Sequence, residues 1–330
     1  TVKKLVQAAK DCNMSSLALT DHGNMFGALQ FYRACKAEKI KPIIGMEAYV
    51  APGARTEQKR GEYGAYFHFL LLARDLEGYH NLMKLSSLGY KEGFYYKPRI
   101  DKEILGQYSK GLVGSSACLS SPINRIALMG SEEDLRKEIE EYNGIFDPGC
   151  FFLEIQDHGL PEQQKILEKI PPLAKEYDIP LIATNDVHYL NQDDSRAQEI
   201  HLCINTGKTM DDDDRLRMDK DEFFFRKKEE MYSRFADFPD ALDNTVRVAE
   251  MCNLELDFTK THLPPFHIAP EEKEQDEEIY FLRLCEEGCR KRYPDFDENT
   301  EVKDRLEEEI GIIKKMGFVS YFLIVWDFVR

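Results

Sequence analysis

Short apolar runs of strand length alternate along this chain with longer stretches in which apolar residues return every three or four positions. The runs at 17–20, 42–50, 66–73, 111–117, 151–156 and 179–184 predict β-strands. The stretches at 1–13, 24–38, 76–90, 121–129, 131–142 and 161–177 predict helices; in the first, Leu5, Val6 and Ala9 share one face. A polar loop is expected at 52–64, and GFYYKPRID (93–101) reads as an aromatic, basic turn segment. The alternation continues to about residue 190. It predicts a parallel barrel or sheet whose functional residues gather at the C-terminal strand ends. Beyond 191 the pattern is mostly helical, and EFFFRKKEEMYSRF joins aromatic to charged residues. The proline-rich THLPPFHIAP (261–270) reads as a linker. Helices at 276–292 and 301–316, with an apolar end at 317–330, begin a second domain.

Composition narrows the class. The 330 residues are 42% apolar and 32% charged, as in a soluble globular protein. No apolar stretch reaches the roughly 18 residues of a membrane span, and the basic amphipathic start lacks a signal-peptide core. A cytoplasmic location is expected. The eight cysteines are scattered without a CxxC pair, which excludes a disulfide framework and a zinc-finger pattern. The net charge of −16 is uneven: residues 1–130 carry 18 Lys and Arg against 11 Asp and Glu, and the remainder 26 against 49. The basic first third suits a phosphate-bearing substrate; ordinary surface variation explains it equally well. Thr1 and the uncapped FLIVWDFVR read as cuts, so a piece of a longer protein is expected.

Metal-ligand residues stand in or just after the apolar runs: His22 after LALT, Glu47 in PIIGMEAYV, His68 in FHFLLLA, Cys118 after GLVGSSA, and Asp186 with His188 in IPLIATNDVHYL. On a strand, Asp186 and His188 would point the same way. Each has an ordinary reading alone. Asp21-His22-Gly23 is a common turn, Glu47 fits the wet side of an edge strand, His68 fits a hydrogen-bonded core position, and Cys118 fits a small buried apolar residue. Five such coincidences at five strands point jointly to a multinuclear Zn²⁺ or Mn²⁺ site. Asp21 and Glu154 are expected beside it, in supporting or substrate-side positions, and His158 is a weaker candidate. His80, His201, His262 and His267 are read as structural or surface residues. Neither a phosphate-cradling Gly-rich loop nor a G-x-S-x-G elbow occurs.

LALTDHGNMFG, KPIIGMEAYV, HFLLLARDLEGYHNLMKLSS, GFYYKPRID, LVGSSACLSS and PLIATNDVHYL resemble, in order, the PHP domain of bacterial replicative DNA polymerase III alpha subunits. YFLRLCEEGCRKRY and RLEEEIGIIKKMGFVSYFLIVWDFV resemble the start of the palm domain of those enzymes. The resemblance implies a distorted seven-stranded β/α barrel over 1–260, a linker at 261–274 and a truncated palm at 275–330. It implies metal ligands at His22, Glu47, His68, Cys118, Asp186 and His188, with the first strand and its H-x-H pair upstream of Thr1. No stretch between Cys118 and Asp186 is long enough for an inserted proofreading exonuclease. The implied parent activity is template-directed DNA synthesis from deoxynucleoside triphosphates on a primer-template. Mg²⁺ would serve a polymerase site whose carboxylates lie outside this chain. The implied partners are the sliding clamp, the clamp loader and the proofreading subunit. Locally, the metal site implies phosphoester hydrolysis, applied to DNA as 3′→5′ exonuclease action. An inactive scaffold and a stand-alone PHP phosphatase are the alternatives.

Overall fold

The computed structural model describes residues 1–218, 220–260 and 263–330; His262 lies outside them. The chain forms two compact units, Thr1–Leu256 and Asp257–Arg330.

In the first unit the strands are β1 (Ser16–His22), β2 (Lys41–Val50), β3 (Phe67–Ala73), β4 (Phe94–Tyr95), β5 (Lys97–Ile100), β6 (Leu112–Ser115), β7 (Phe151–Ile155) and β8 (Leu181–Ala183). The helices are α1 (Val2–Asp11), α2 (Ala28–Ala37), α3 (Leu76–Lys91), α4 (Lys102–Gln107), α5 (Pro122–Met129), α6 (Glu132–Ile145), α7 (Pro161–Glu176), α8 (Ser195–Thr206), α9 (Lys228–Arg234) and α10 (Pro239–Met251). The helix starts follow capping chemistry: Asp75, Asp101, Ser121 and Ser131 each accept a backbone N–H of the first turn.

The sheet runs β1-β2-β3-β6-β7-β8, with the β4–β5 hairpin joined to the far end of β2. It curls as a distorted, open β/α barrel. Two expectations need correction. The sheet is not all parallel: β3 runs antiparallel to both β2 and β6. GFYYKPRID is not a simple turn either. It folds as a hairpin pairing Phe94 with Pro98 and Tyr95 with Lys97, so that Tyr96 alone makes the tip.

Alternation along each strand sorts residues onto two faces. Ile44, Met46, Phe69, Leu71, Leu112, Phe151 and Leu153 face the helices and form the main core. Ile43, Leu72, Val113, Phe152 and Ile182, one from each of five strands, form an apolar layer on the other face, closed by Val248 and Ala249 of α10. This layer floors the barrel, and polar residues stand above it.

The second unit holds α11 (Glu277–Arg292), α12 (Thr300–Lys315) and α13 (Val319–Val329) around Tyr280, Phe281, Ile310, Val319 and Leu323. Asp276 caps α11 by accepting from the N–H groups of Glu278 and Ile279.

Candidate metal centre

Register builds the centre. His22 pairs with Glu47 across β1 and β2, and His68 pairs with Tyr49 across β2 and β3. His22, Glu47 and His68 share the concave face because each lies an even number of residues, directly or across the register, from the floor layer. The reversal of β3 places its first residues where the parallel strands end. His68 therefore reaches the same rim from the start of its strand.

The six predicted ligands come together. His22 Nε2 lies 2.9 Å from Glu47 Oε2, and His68 Nδ1 lies 3.0 Å from Glu47 Oε1. Their ligand atoms fall within 4.8 Å of one another. Cys118 Sγ lies 3.6 Å from His68 Nδ1 and 3.8 Å from Glu47 Oε1. The ring of His188 lies 5.8 Å from that of His22. Asp186 is near enough for its charge to act on His22 and on the Cys118 thiol.

Asp186 and His188 do not sit on a strand, because β8 ends at Ala183. The same-face argument from strand alternation therefore fails for them. The loop brings them inward by another route: Asp186 has φ 43°, a left-handed conformation rare outside glycine, and His188 Nδ1 lies 2.7 Å from the Asp186 carbonyl. Ala117, just before Cys118, is also left-handed at φ 54°. Two ligand loops thus carry local strain next to the centre.

Electrostatics follow from burial and sharing. Burial alone would raise Glu47, but hydrogen bonds from His22 and His68 outweigh it and hold the carboxyl well below its usual range. The same bond to Glu47 raises His22. Burial raises Asp186 and pushes the Cys118 thiol up. Three imidazoles, two carboxylates and a thiol held close at one rim form a donor set that suits a divalent metal cation. Beneath them Glu154 is buried and accepts from Ser115, Thr184 and Gln156; burial raises its carboxyl. Asp21 takes the opposite strand face from His22 and accepts from Gly27 N at 3.0 Å, fixing the loop after β1. His201, read as a structural or surface residue, is exposed and also lines the cavity of about 770 Å³ between the centre and the floor.

Sequence reasoning missed the clamp that sets the 185–188 loop. Asn185 Nδ2 donates to the carbonyls of Glu222 and Phe224, at 2.9 and 2.7 Å. Arg226 Nε donates to Asn185 Oδ1, and His188 N donates to the carbonyl of Phe223. His158, stacked on Phe223, places Nε2 3.1 Å from the Asn185 carbonyl and Nδ1 2.7 Å from Gln163 Nε2. Burial lowers His158 to about 4, which keeps it neutral. The aromatic EFFFR segment was the available signal, and its partner was a loop about 35 residues earlier.

A curled sheet with imidazole and carboxylate donors at one rim defines the class, and residues 1–158 match the PHP domain family. Residues 279–330 match the bacterial DNA polymerase III alpha NTPase domain. The chain belongs to the family of bacterial DNA polymerase III alpha subunits. It is 43% identical over 331 residues to the DNA polymerase III subunit alpha of Borreliella burgdorferi, covering all of this chain and 28% of that protein. The corresponding subunit of Treponema pallidum is 43% identical over 330 residues, again with 100% and 28% covered. That of Helicobacter pylori strain J99 is 41% identical over 353 residues, with 100% and 29% covered. The chain thus spans less than a third of these relatives. Among solved structures, a putative metal-dependent phosphoesterase from Bifidobacterium adolescentis aligns with a TM-score of 0.38 at 14% identity, covering 56% of this chain and 82% of that one.

Proposed function

We propose that residues 1–260 form a PHP phosphoesterase unit of a replicative DNA polymerase, that 261–274 link it onward, and that 275–330 begin the palm. The whole protein would extend a DNA primer on a template from deoxynucleoside triphosphates, with Mg²⁺ at carboxylates outside this chain. It would work with the sliding clamp, the clamp loader and the proofreading subunit. The PHP unit would remove nucleotides from a 3′ end. The observation that supports this reading is the convergence of His22, Glu47, His68, Cys118, Asp186 and His188 at one rim.

These six side chains would hold Zn²⁺ or Mn²⁺. Such an ion supplies Lewis acidity for phosphoester hydrolysis. The chain's own residues do the rest. Glu47 fixes both imidazoles through its two oxygens. The Asn185 clamp holds Asp186 at the rim. Lys97, whose Nζ lies 5.4 Å from the centre of the Tyr49 ring, brings a positive charge to the edge of the site. The edges of β1 and β8 are not hydrogen-bonded to each other among the described residues. A further strand carrying the H-x-H pair would close the barrel there.

The test is Asp186→Asn in the full-length protein. Metal content measured by mass spectrometry should fall, and 3′→5′ degradation of a mismatched primer should drop by about 100-fold or more, with primer extension retained. Parent-level nuclease activity in the variant removes Asp186 from the ligand set. A parent with no bound metal and no nuclease, whose variant loses polymerase activity together with thermal stability, shows a scaffold instead.

A further inference from the structure

Beside the centre lies a surface that the metal chemistry does not use. The loop after His22, the C-terminal end of α3 and the β4–β5 hairpin meet there. Gly23 leaves no room for a Cβ between the Tyr49 ring and Pro98, and Ser86 of α3 bonds the Gly23 carbonyl. These elements present aromatic rings to solvent: Phe26 is 82% exposed, Phe94 54% and Tyr90 43%. The rings form a row, with Phe26 and Tyr90 at 6.5 Å and 31° between planes, and Tyr90 and Phe94 at 6.3 Å and 28°. Exposed aromatics that touch one another form a patch, not scattered surface residues.

At the hairpin tip Tyr96 is 69% exposed and held at φ 62°. A bulky residue in the left-handed region is strained, and folding gains nothing from leaving its ring in water. Lys97 has no carboxylate within ion-pair distance among the described residues, while its charge is felt at His22. Rings beside a cation that has no carboxylate partner among the described residues, at a phosphoester site, match a base-and-phosphate polymer. Ring spacings near twice the duplex rise of about 3.4 Å fit bases unstacked from one another, as in a single strand.

We propose that Phe26, Tyr90 and Phe94, with Lys97 beside the metal centre, form a stacking platform that leads the 3′ end of a single DNA strand to the rim. This rests on the phosphoesterase reading of the centre. The platform tolerates any base, since every base has a π-face, so removal of nucleotides here is indifferent to sequence and requires a frayed end.

The test is fluorescence anisotropy of the 330-residue chain with a labelled 12-nucleotide oligothymidylate in EDTA. The chelator makes binding independent of metal and of nuclease activity, so failure of the platform and failure of the metal reading are separate results. Phe94→Ala and Tyr90→Ala should each weaken binding by about 5- to 100-fold, with unchanged circular dichroism and melting temperature. Phe94→Trp should bind within about twofold of the parent. Lys97→Gln should lower the slope of log affinity against log salt by about 0.7. Binding to a blunt duplex should not depend on the rings. No saturable binding by the parent overturns the proposal. So does equal loss in Phe94→Ala and Phe94→Trp. Unchanged binding by folded alanine variants overturns it too and leaves the row as a protein-facing surface.

Discussion

His158 shows how a residue can matter to the centre without joining it. Its ring is sandwiched between Gln163 and the Asn185 carbonyl and is neutral in the fold. Its pKa is lowered from the ordinary 6.5 to about 4, first by burial. Between those values the unfolded chain binds a proton that the folded chain does not, so stability rises with pH and is lost as pH falls from 6.5 towards 4. At pH 5 this costs about 2 kcal/mol. His158→Gln keeps an amide donor for Asn185 and removes the titration. Thermal melts at pH 7.5 and pH 5 should show a smaller acid loss in the variant than in the parent; equal losses would show that His158 does not carry the effect. From sequence, His158 was one more histidine near a strand end, ranked below the six candidate ligands. Residue types and their place in apolar runs were enough to find His22, Glu47 and His68. They were not enough for the clamp, because side-chain bonds to a distant backbone leave no periodicity.

At the scale of elements, the apolar runs marked six strands to within a few residues, since burial on both faces writes itself into composition. Direction is not written that way. An apolar run reads alike parallel or antiparallel, so the reversal of β3 was invisible. The hairpin at 94–100 was missed because β4 is two residues long and Tyr96 is its whole turn. What holds that hairpin is Arg99. Its guanidinium is fully buried and donates to the carbonyls of Gly93, Ala65, Arg55 and Glu57. A lysine at this position has fewer donors and no planar fork. Arg99→Lys should therefore destabilise the first unit by about 2–4 kcal/mol, read by urea denaturation. A loss below about 0.5 kcal/mol would show that the four carbonyls find other partners. If the hairpin carries the stacking platform, the same variant should weaken oligonucleotide binding under conditions where it is still folded.

At the scale of the whole molecule, the two compact units divide at Leu256, and Lys260 and Lys273 lie in the stretch before α11. Brief trypsin digestion should cut there first and leave a resistant fragment containing residues 1–256, identified by mass; an early cut within 67–155 would contradict one continuous core. None of the helices described is long and apolar enough to cross a membrane. Because β2 leaves the sheet at the rim and β3 re-enters it there, the connection 51–66 never has to cross the barrel, unlike the long returns that join parallel neighbours. It begins and ends beside the donors. Residues added to it would lengthen an overhang and leave every strand register as it is. A protein that needed a lid, a gate or a grip on a new partner could acquire it on this connection, provided Arg55, Glu57 and Ala65 keep their carbonyls on Arg99.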